Sequence, residues 1–249
     1  MSGHSKWAKI KHKKGITDAK RGAAFTKITR EIVTAAKEGG GDPDVNPRLR
    51  TAMLRARGLG MPSTNVDNAI KKGTGDIEGV VYESFTFDAY APGGVAVFIE
   101  GLTDNKNRTT AEIRTILNRK NGALASPGST AFIFSKKGLI EVDVKSIDES
   151  ALMDIVLEAG ADDMATEGDI YSITTEPSRL EPVRLVLEAK KVVMKTAEVT
   201  MIPTMTKKIA GAEARAVLAL IETLEDYEDV QNVYANFDIS DEDMAALGE

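Results

Sequence analysis

The sequence predicts an α+β protein. An N-terminal three-helix domain is followed by two α/β domains, at least one ferredoxin-like, the second inserted in the first. Three observations predict this. Apolar residues recur at helical spacing from about Asp18 to Gly73. Residues 80–134 begin with alternating strands, turn into a helix and end in a strand. Residues 137–202 run strand, helix, strand, strand, helix, strand, a complete βαββαβ unit.

In the helical region, Phe25, Ile28, Ile32, Val33 and Ala36 share one face, and Gly39-Gly40-Gly41 ends that helix. Asn46-Pro47 supplies a cap and a first-turn proline, and Leu49, Ala52, Met53 and Ala56 form the next stripe. Met61-Pro62-Ser63 breaks the chain. Ser63 is expected to cap a third helix, with Val66, Ala69 and Ile70 inward and Gly73 at its end. Gly73 to Gly79 reads as a linker. It is a poor phosphate loop, because it follows a helix and Glu78 stands where a third glycine is needed.

The strands Tyr82 to Ala89 and Val95 to Glu100 form a hairpin about Ala91-Pro92-Gly93-Gly94. Thr109 and Glu112 have capping-box spacing, Ile113, Ile116 and Leu117 face inward, and Asn121-Gly122 stops the helix. Phe132 to Phe134 reads as a third strand. A strand near Leu139 to Val144 leads to a helix capped by Ser146 and Glu149. Strands at Ala161 to Ala165 and Ile170 to Thr175, a helix opened by Pro177, and a strand from Val192 to Ile202 complete the unit. A helix to about Glu225 and a strand from Val230 to Asp238 cannot bury their apolar faces alone. Residues 80–134 likewise lack a second helix. The expected organisation is therefore a basic arm (1–20), a basic helical domain (21–79), an α/β domain built from 80–134 and 205–240, an inserted ferredoxin-like domain (135–204) and an acidic tail (241–249). The competing arrangement is a hairpin of Phe132–Phe134 with Leu139–Val142, giving one continuous body.

Net charge is −6, but it is unevenly distributed. Residues 1–75 hold 16 Lys and Arg against 6 Asp and Glu, and residues 76–249 hold 16 against 32. The basic front attracts phosphate locally, within a Debye length of about 8–10 Å. There is no cysteine, hence no disulfide, thiolate metal site or Cys nucleophile. His4 and His12 are the only histidines and both lie in the arm, which excludes a Ser-His-Asp triad in the body. Asp162-Asp163, the Glu225, Asp226, Glu228 and Asp229 group, and Asp241-Glu242-Asp243 read as acidic surface. No enzyme activity, cofactor or metal site is expected, though a carboxylate-only Mg²⁺ site leaves no mark in a sequence. No apolar run approaches the roughly 18 residues of a membrane span, and no secretory signal is visible. The expectation is a cytoplasmic protein, monomeric or weakly oligomeric, with no membrane contact.

Residues 3–14 (GHSKWAKIKHKK) combine five lysines, both histidines and the only tryptophan, with no acid. Ammonium groups neutralise phosphates and an indole stacks on bases, so this is the chemistry of a nucleic-acid arm. A solvated basic tail is the plain alternative. The candidate contacts are Lys6, Trp7, Lys9, Lys11, His12, Lys13 and Lys14 from the arm, and Lys20, Arg21, Lys27, Arg30, Arg48, Arg50, Arg55, Lys71 and Lys72 from an outward helical face. Lys106 and Arg108 join them from a patch shared with Arg114, Arg119 and Lys120. Acids are scarce among the helical-domain set, so the alternation of sign usual for a solvated face is missing.

Several motifs together resemble the YebC/PmpR family over the whole chain. They include Gly3-His4-Ser5-Lys6-Trp7, Ile10-Lys11-His12-Lys13, Asp18-Ala19-Lys20-Arg21-Gly22, Phe25-Thr26-Lys27 and Asn46-Pro47-Arg48-Leu49-Arg50. Further matches are Ala69-Ile70-Lys71-Lys72-Gly73-Thr74-Gly75, Pro92-Gly93-Gly94-Val95-Ala96, Thr103-Asp104-Asn105, Asn107-Arg108-Thr109 and Val230-Gln231-Asn232-Val233-Tyr234. Lys9 and Lys106 stand where Asn and Arg are expected, and Ala89 where Gly is expected. The resemblance implies a helical bundle and two α/β domains, one inserted in the other. It also implies a regulator of gene expression. Bacterial members are described as probable DNA-binding transcriptional regulators and as ribosome-associated factors, and a mitochondrial relative as a translational activator. The sequence therefore leads to a non-enzymatic nucleic-acid-binding regulator whose partner is DNA or ribosomal RNA, with the ribosome a candidate. A protein–protein adaptor using the acidic domains is the reading from another class. No helix N-terminus in 47–60 or 63–72 offers a set of base-reading side chains.

Overall fold

The computed structural model describes residues 18–240 and 242–243, with side chains from residue 21 onward. The arm residues Lys6, Trp7, Lys9, Lys11, His12, Lys13 and Lys14, the Lys20 side chain and most of the acidic tail lie outside the described residues.

Three helices open the described chain: α1 (Asp18–Gly39), α2 (Pro47–Gly58) and α3 (Ser63–Thr74). Ile32, Val33, Leu49, Ala52, Ala56, Val66 and Ala69 are buried between them, with Tyr82 packed alongside. Asn46 caps α2: its Oδ1 accepts from the Leu49 N–H at 3.0 Å, while Nδ2 donates to the Ala35 and Gly40 carbonyls, each at 2.8 Å. That tie fixes the α1–α2 corner. Ser63 does not cap α3; Pro62 holds the cap position with no side-chain bond, and Ser63 is the first helical residue. Gly73 is the penultimate residue of α3, at its end as expected. A Cβ there would stand 2.5 Å from the Val33 carbonyl and 2.6 Å from the Ala36 Cβ, so glycine permits the close α1–α3 approach.

The first α/β domain has the sheet order β3-β1-β2-β9, built from β1 (Glu83–Ala91), β2 (Val95–Thr103), β3 (Ala123–Leu124) and β9 (Val230–Ala235). β1 and β2 pair from Glu83↔Thr103 to Ala91↔Val95, and β9 pairs antiparallel with β2. Helices α4 (Lys106–Arg119) and α7 (Gly211–Asp226) pack on this sheet, burying Ile113, Leu117, Val217, Leu220, Ile221 and Leu224 against Val95, Val97 and Ile99. β8 (Lys207–Lys208) and β10 (Phe237–Asp238) add a short parallel pair. The 206–238 segment thus folds back onto the first hairpin. Thr109 is not the α4 cap. Asn105 is, through Oδ1 accepting from the Arg108 N–H at 3.1 Å, and Thr109 lies buried in the helix.

Phe132 to Phe134 is not the third strand of that sheet. Ala131–Ile133 is a 3₁₀ turn, and Phe134 starts β4 (Phe134–Asp143), one continuous strand of the inserted domain. This overturns the hairpin alternative as well, since Phe132 and Ile133 are in the turn and Phe134 runs without a break into the strand that holds Leu139–Val142. The third strand of the first sheet is the two-residue β3, too short to show a period in sequence.

The inserted domain is a separate compact unit running from Phe132 to Thr206. Its order is β4, α5 (Glu149–Glu158), β5 (Asp163–Glu167), β6 (Ile170–Thr175), α6 (Leu180–Ala189) and β7 (Met194–Pro203), with sheet order β5-β6-β4-β7, all antiparallel. This is the ferredoxin-like arrangement. Ile140, Val142, Leu152, Val156, Ile173, Val183 and Leu187 form its core. Asp148, not Ser146, caps α5, accepting from the Ser150 and Ala151 N–H groups. Pro177 opens a 3₁₀ turn that precedes α6.

Candidate nucleic-acid interface

The cations named from sequence divide into two kinds, and Arg57, which is not among those candidates, joins the first. Arg50, Arg57, Lys71 and Lys72 are exposed on α2 and α3 and have no hydrogen-bond or ion-pair partner among the described residues. Arg50, Leu54 and Arg57 share one stripe at i, i+4 and i+7, and Leu54 is 60% exposed between the arginines. Arg57, Lys71 and Lys72 sit in last turns, where the helix dipole favours positive charge. That dipole stabilises them without neutralising them. Arg21 and Arg55 are exposed as well.

The others are engaged within the protein. Arg48 donates to Glu31 at 2.8 Å and also pairs with Glu38. The Glu31 hydrogen bond holds its guanidinium above the usual arginine range, outweighing partial burial. Lys27 is half-buried, with Nζ donating to the Glu225 carbonyl. Lys106 lies 3.8 Å from Glu83.

Arg30 does not belong to the outward face. It is 8% exposed, and its guanidinium pairs with Asp229, reaches Glu228 at 3.2 Å and stands 5.4 Å over the Tyr82 ring. The cause is Asp229, itself 2% exposed and not part of an acidic surface. Its carboxylate accepts from Thr109 Oγ1 at 2.5 Å, Tyr227 Oη at 3.1 Å, and Thr103 Oγ1 and Arg108 Nη2 at 3.2 Å each. Burial pushes the Asp229 carboxyl up, but the bonds from Thr109, Arg30 and Arg108 outweigh it and leave it below the usual range. Arg108 is also held by Asp104 at 2.6 Å. These acids raise its proton affinity and take up its donors. The node joins α1 to the first α/β domain. The cleft around it, about 340 Å³, is lined by Arg30, Tyr82, Asp104, Arg108, Tyr227 and the acids 226, 228 and 229. Four carboxylates against two arginines make it a poor phosphate site.

The node was not read from sequence. Its one signal was an acid, Asp229, directly ahead of an apolar strand, where a solvated carboxylate and a buried one look alike. Among the described residues no group of three His, Cys, Asp or Glu side chains is placed to hold a metal ion. No helix of the described residues is long and apolar enough to cross a membrane.

Two family models match this chain: the TACO1/YebC N-terminal domain over residues 5–76, and the TACO1/YebC second and third domain over residues 82–237. A probable transcriptional regulatory protein of Trichlorobacter lovleyi is 52% identical, covering 99% of this chain and 100% of its own. One of Natranaerobius thermophilus with the same description is 51% identical over 97% of this chain and 98% of its own. The crystal structure of a conserved hypothetical protein from Aquifex aeolicus superposes with a TM-score of 0.79 at 41% identity, covering 90% of this chain and 93% of that one.

Proposed function

The chain belongs to the TACO1/YebC family, and from that membership and its unpaired cations we propose that it is a non-enzymatic, nucleic-acid-binding regulator of gene expression. The carrying observation is the set Arg50, Arg57, Lys71 and Lys72, exposed and without an ion-pair partner among the described residues, in a chain whose net charge is −6. Unpaired surface cations release phosphate counterions on binding, a gain that paired ones have largely forfeited. The arm lysines and Trp7 extend this surface in the proposal, supplying further charge and a stacking ring. The acidic remainder repels phosphate and so limits which face docks.

The relatives' descriptions point to transcription and hence to duplex DNA. One observation favours RNA. Arg48, at the N-terminal turn of α2, is tied to Glu31 and Glu38, which leaves Arg50 as the one free arginine of that turn, short of the set of side chains that reads base edges. A basic arm with one aromatic also suits structured RNA. Co-sedimentation with ribosomes beside a duplex-DNA titration, both across a salt series, decides between them. A second protein with Lys6, Lys9, Lys11, Lys13 and Lys14 changed to Ala serves as the control. Pelleting with ribosomes at salt that abolishes DNA binding, lost in the arm variant, establishes the RNA reading. Sequence-dependent duplex binding at that salt, with ribosomes ignored, establishes the DNA reading. No binding in either assay removes the proposal.

A further inference from the structure

Helix α4 carries its arginines differently from α6. On α6, Arg184 donates to Glu181 at 2.8 Å and to Glu188 at 3.1 Å, the pairing of a solvated helix. On α4, Arg114 has Thr110, Ala111, Leu117 and Asn118 at its i±3 and i±4 positions. Neither Arg114 nor Arg119 has a partner among the described residues. Thr109, Ile113 and Leu117 are buried, so the opposite stripe is Asn107, Ala111, Arg114 and Asn118, all exposed. It runs about 16 Å at 1.5 Å per residue, and Ala111 near its middle lets a flat surface approach closely. The tip of α4 is engaged: Asn105 caps it, Lys106 faces Glu83, and Arg108 is held by Asp104 and Asp229. The helix therefore offers its flank and not its N-terminal turn.

We propose that this flank is a docking surface for double-helical RNA. It would lie across the wide, shallow minor groove, with Arg114 on a phosphate and Asn107 and Asn118 on 2′-hydroxyls, while Arg119, about 100° further round the helix, adds charge at the edge. Charge complementarity supports it locally: Arg114 and Arg119 have no partner among the described residues, and Glu112, the exposed acid of α4, is not at i±3 or i±4 from any residue of the stripe. A DNA-recognition helix of the helix-turn-helix kind leads into the major groove with its N-terminal residues, which here are occupied. The inference rests on the nucleic-acid reading above but uses a different surface.

The test is fluorescence anisotropy of the full chain on an RNA duplex of about 20 base pairs and on DNA of the same sequence, across a salt series. One variant carries Arg114→Ala and Asn118→Ala; the other carries Arg50→Ala, Arg57→Ala, Lys71→Ala and Lys72→Ala. The expected result is a preference for RNA that the α4 variant loses by about tenfold, its logarithmic salt slope falling by about one, with DNA binding unchanged. Unchanged RNA affinity in the α4 variant, or equal losses on RNA and DNA, overturns the inference. If the helical-domain variant binds both duplexes as the parent does while the α4 variant loses RNA, the α4 inference stands and the helical face is withdrawn. Binding of neither duplex by the parent protein overturns both.

Discussion

At the residue scale, the most consequential contact is Arg30 with Asp229. Both are nearly inaccessible, and the pair links α1 to the strand region of the first α/β domain. Removing one partner of a buried pair leaves a charge in a poorly solvated place. Arg30→Ala is expected to destabilise the protein by about 3 kcal/mol, the lower end of the usual range because Arg108 still faces Asp229. An unfolding free energy from urea titration lowered by less than a third of that would show the pair to be marginal. The Arg30 partner Asp229 contributes to acid sensitivity, together with Asp88. Burial raises the Asp88 carboxyl, but the Thr130 hydroxyl and the Thr130, Gly128 and Ala131 N–H groups outweigh it and hold it below the usual carboxylate range. Both folded-state values lie below the unfolded one, so the stabilisation is fully present above about pH 4 and lost as pH falls through the folded values. Melting temperatures measured from pH 7 to pH 2 should hold and then drop below about pH 4. Asp88→Asn should be less stable at neutral pH and show a smaller acid drop. Equal drops in both proteins would assign the acid sensitivity elsewhere.

At the element scale, the α1–α3 crossing depends on one glycine. Any side chain at Gly73 meets the Val33 carbonyl and Ala36 Cβ, which are backbone and core atoms that cannot rotate away. Gly73→Val should cost the helical domain about 2 kcal/mol by overpacking, read as a lower denaturant midpoint with little change in helical circular dichroism at low denaturant. An unchanged midpoint would mean that the helices separate freely. The sequence marked Gly73 only as a stop, because a glycine near a helix end and one inside a tight crossing have the same local pattern. Caps were misplaced for a related reason. Ser63, Thr109 and Ser146 all have capping chemistry, but Pro62, Asn105 and Asp148 occupy the cap positions, and short-range pattern does not choose among neighbouring candidates.

At the scale of the whole molecule, the inserted domain has a core of its own. None of the buried residues between the β3-β1-β2-β9 sheet and its helices comes from 132–206. The two ends of the insertion leave side by side, Phe134 pairing with Pro203, and Thr204 N–H donating to the Ile133 carbonyl at 2.8 Å. Replacing residues 132–206 by a short Gly/Ser linker should therefore leave a folded protein. It should show a single cooperative melt and the dispersed amide spectrum of a packed core. A molten spectrum would mean that the insertion supplies stability the contacts do not reveal. The β9 return was legible in advance, since a lone helix and strand need a partner with a bare sheet edge.

Hydrophobic periodicity, charge segregation and turn signals are local properties. They are enough for the fold class and the location of basic charge, and they leave an insertion and one continuous body as competing arrangements. Only tertiary structure decided which charges remain available. Arg30, Arg48 and Arg108 look no different in sequence from Arg50, Arg57 and Arg114, yet the first three meet Asp229, Glu31, Glu38 and Asp104 across gaps of up to 199 residues. An ion pair depends on where two chain segments meet in space. Composition reports only that both charges exist.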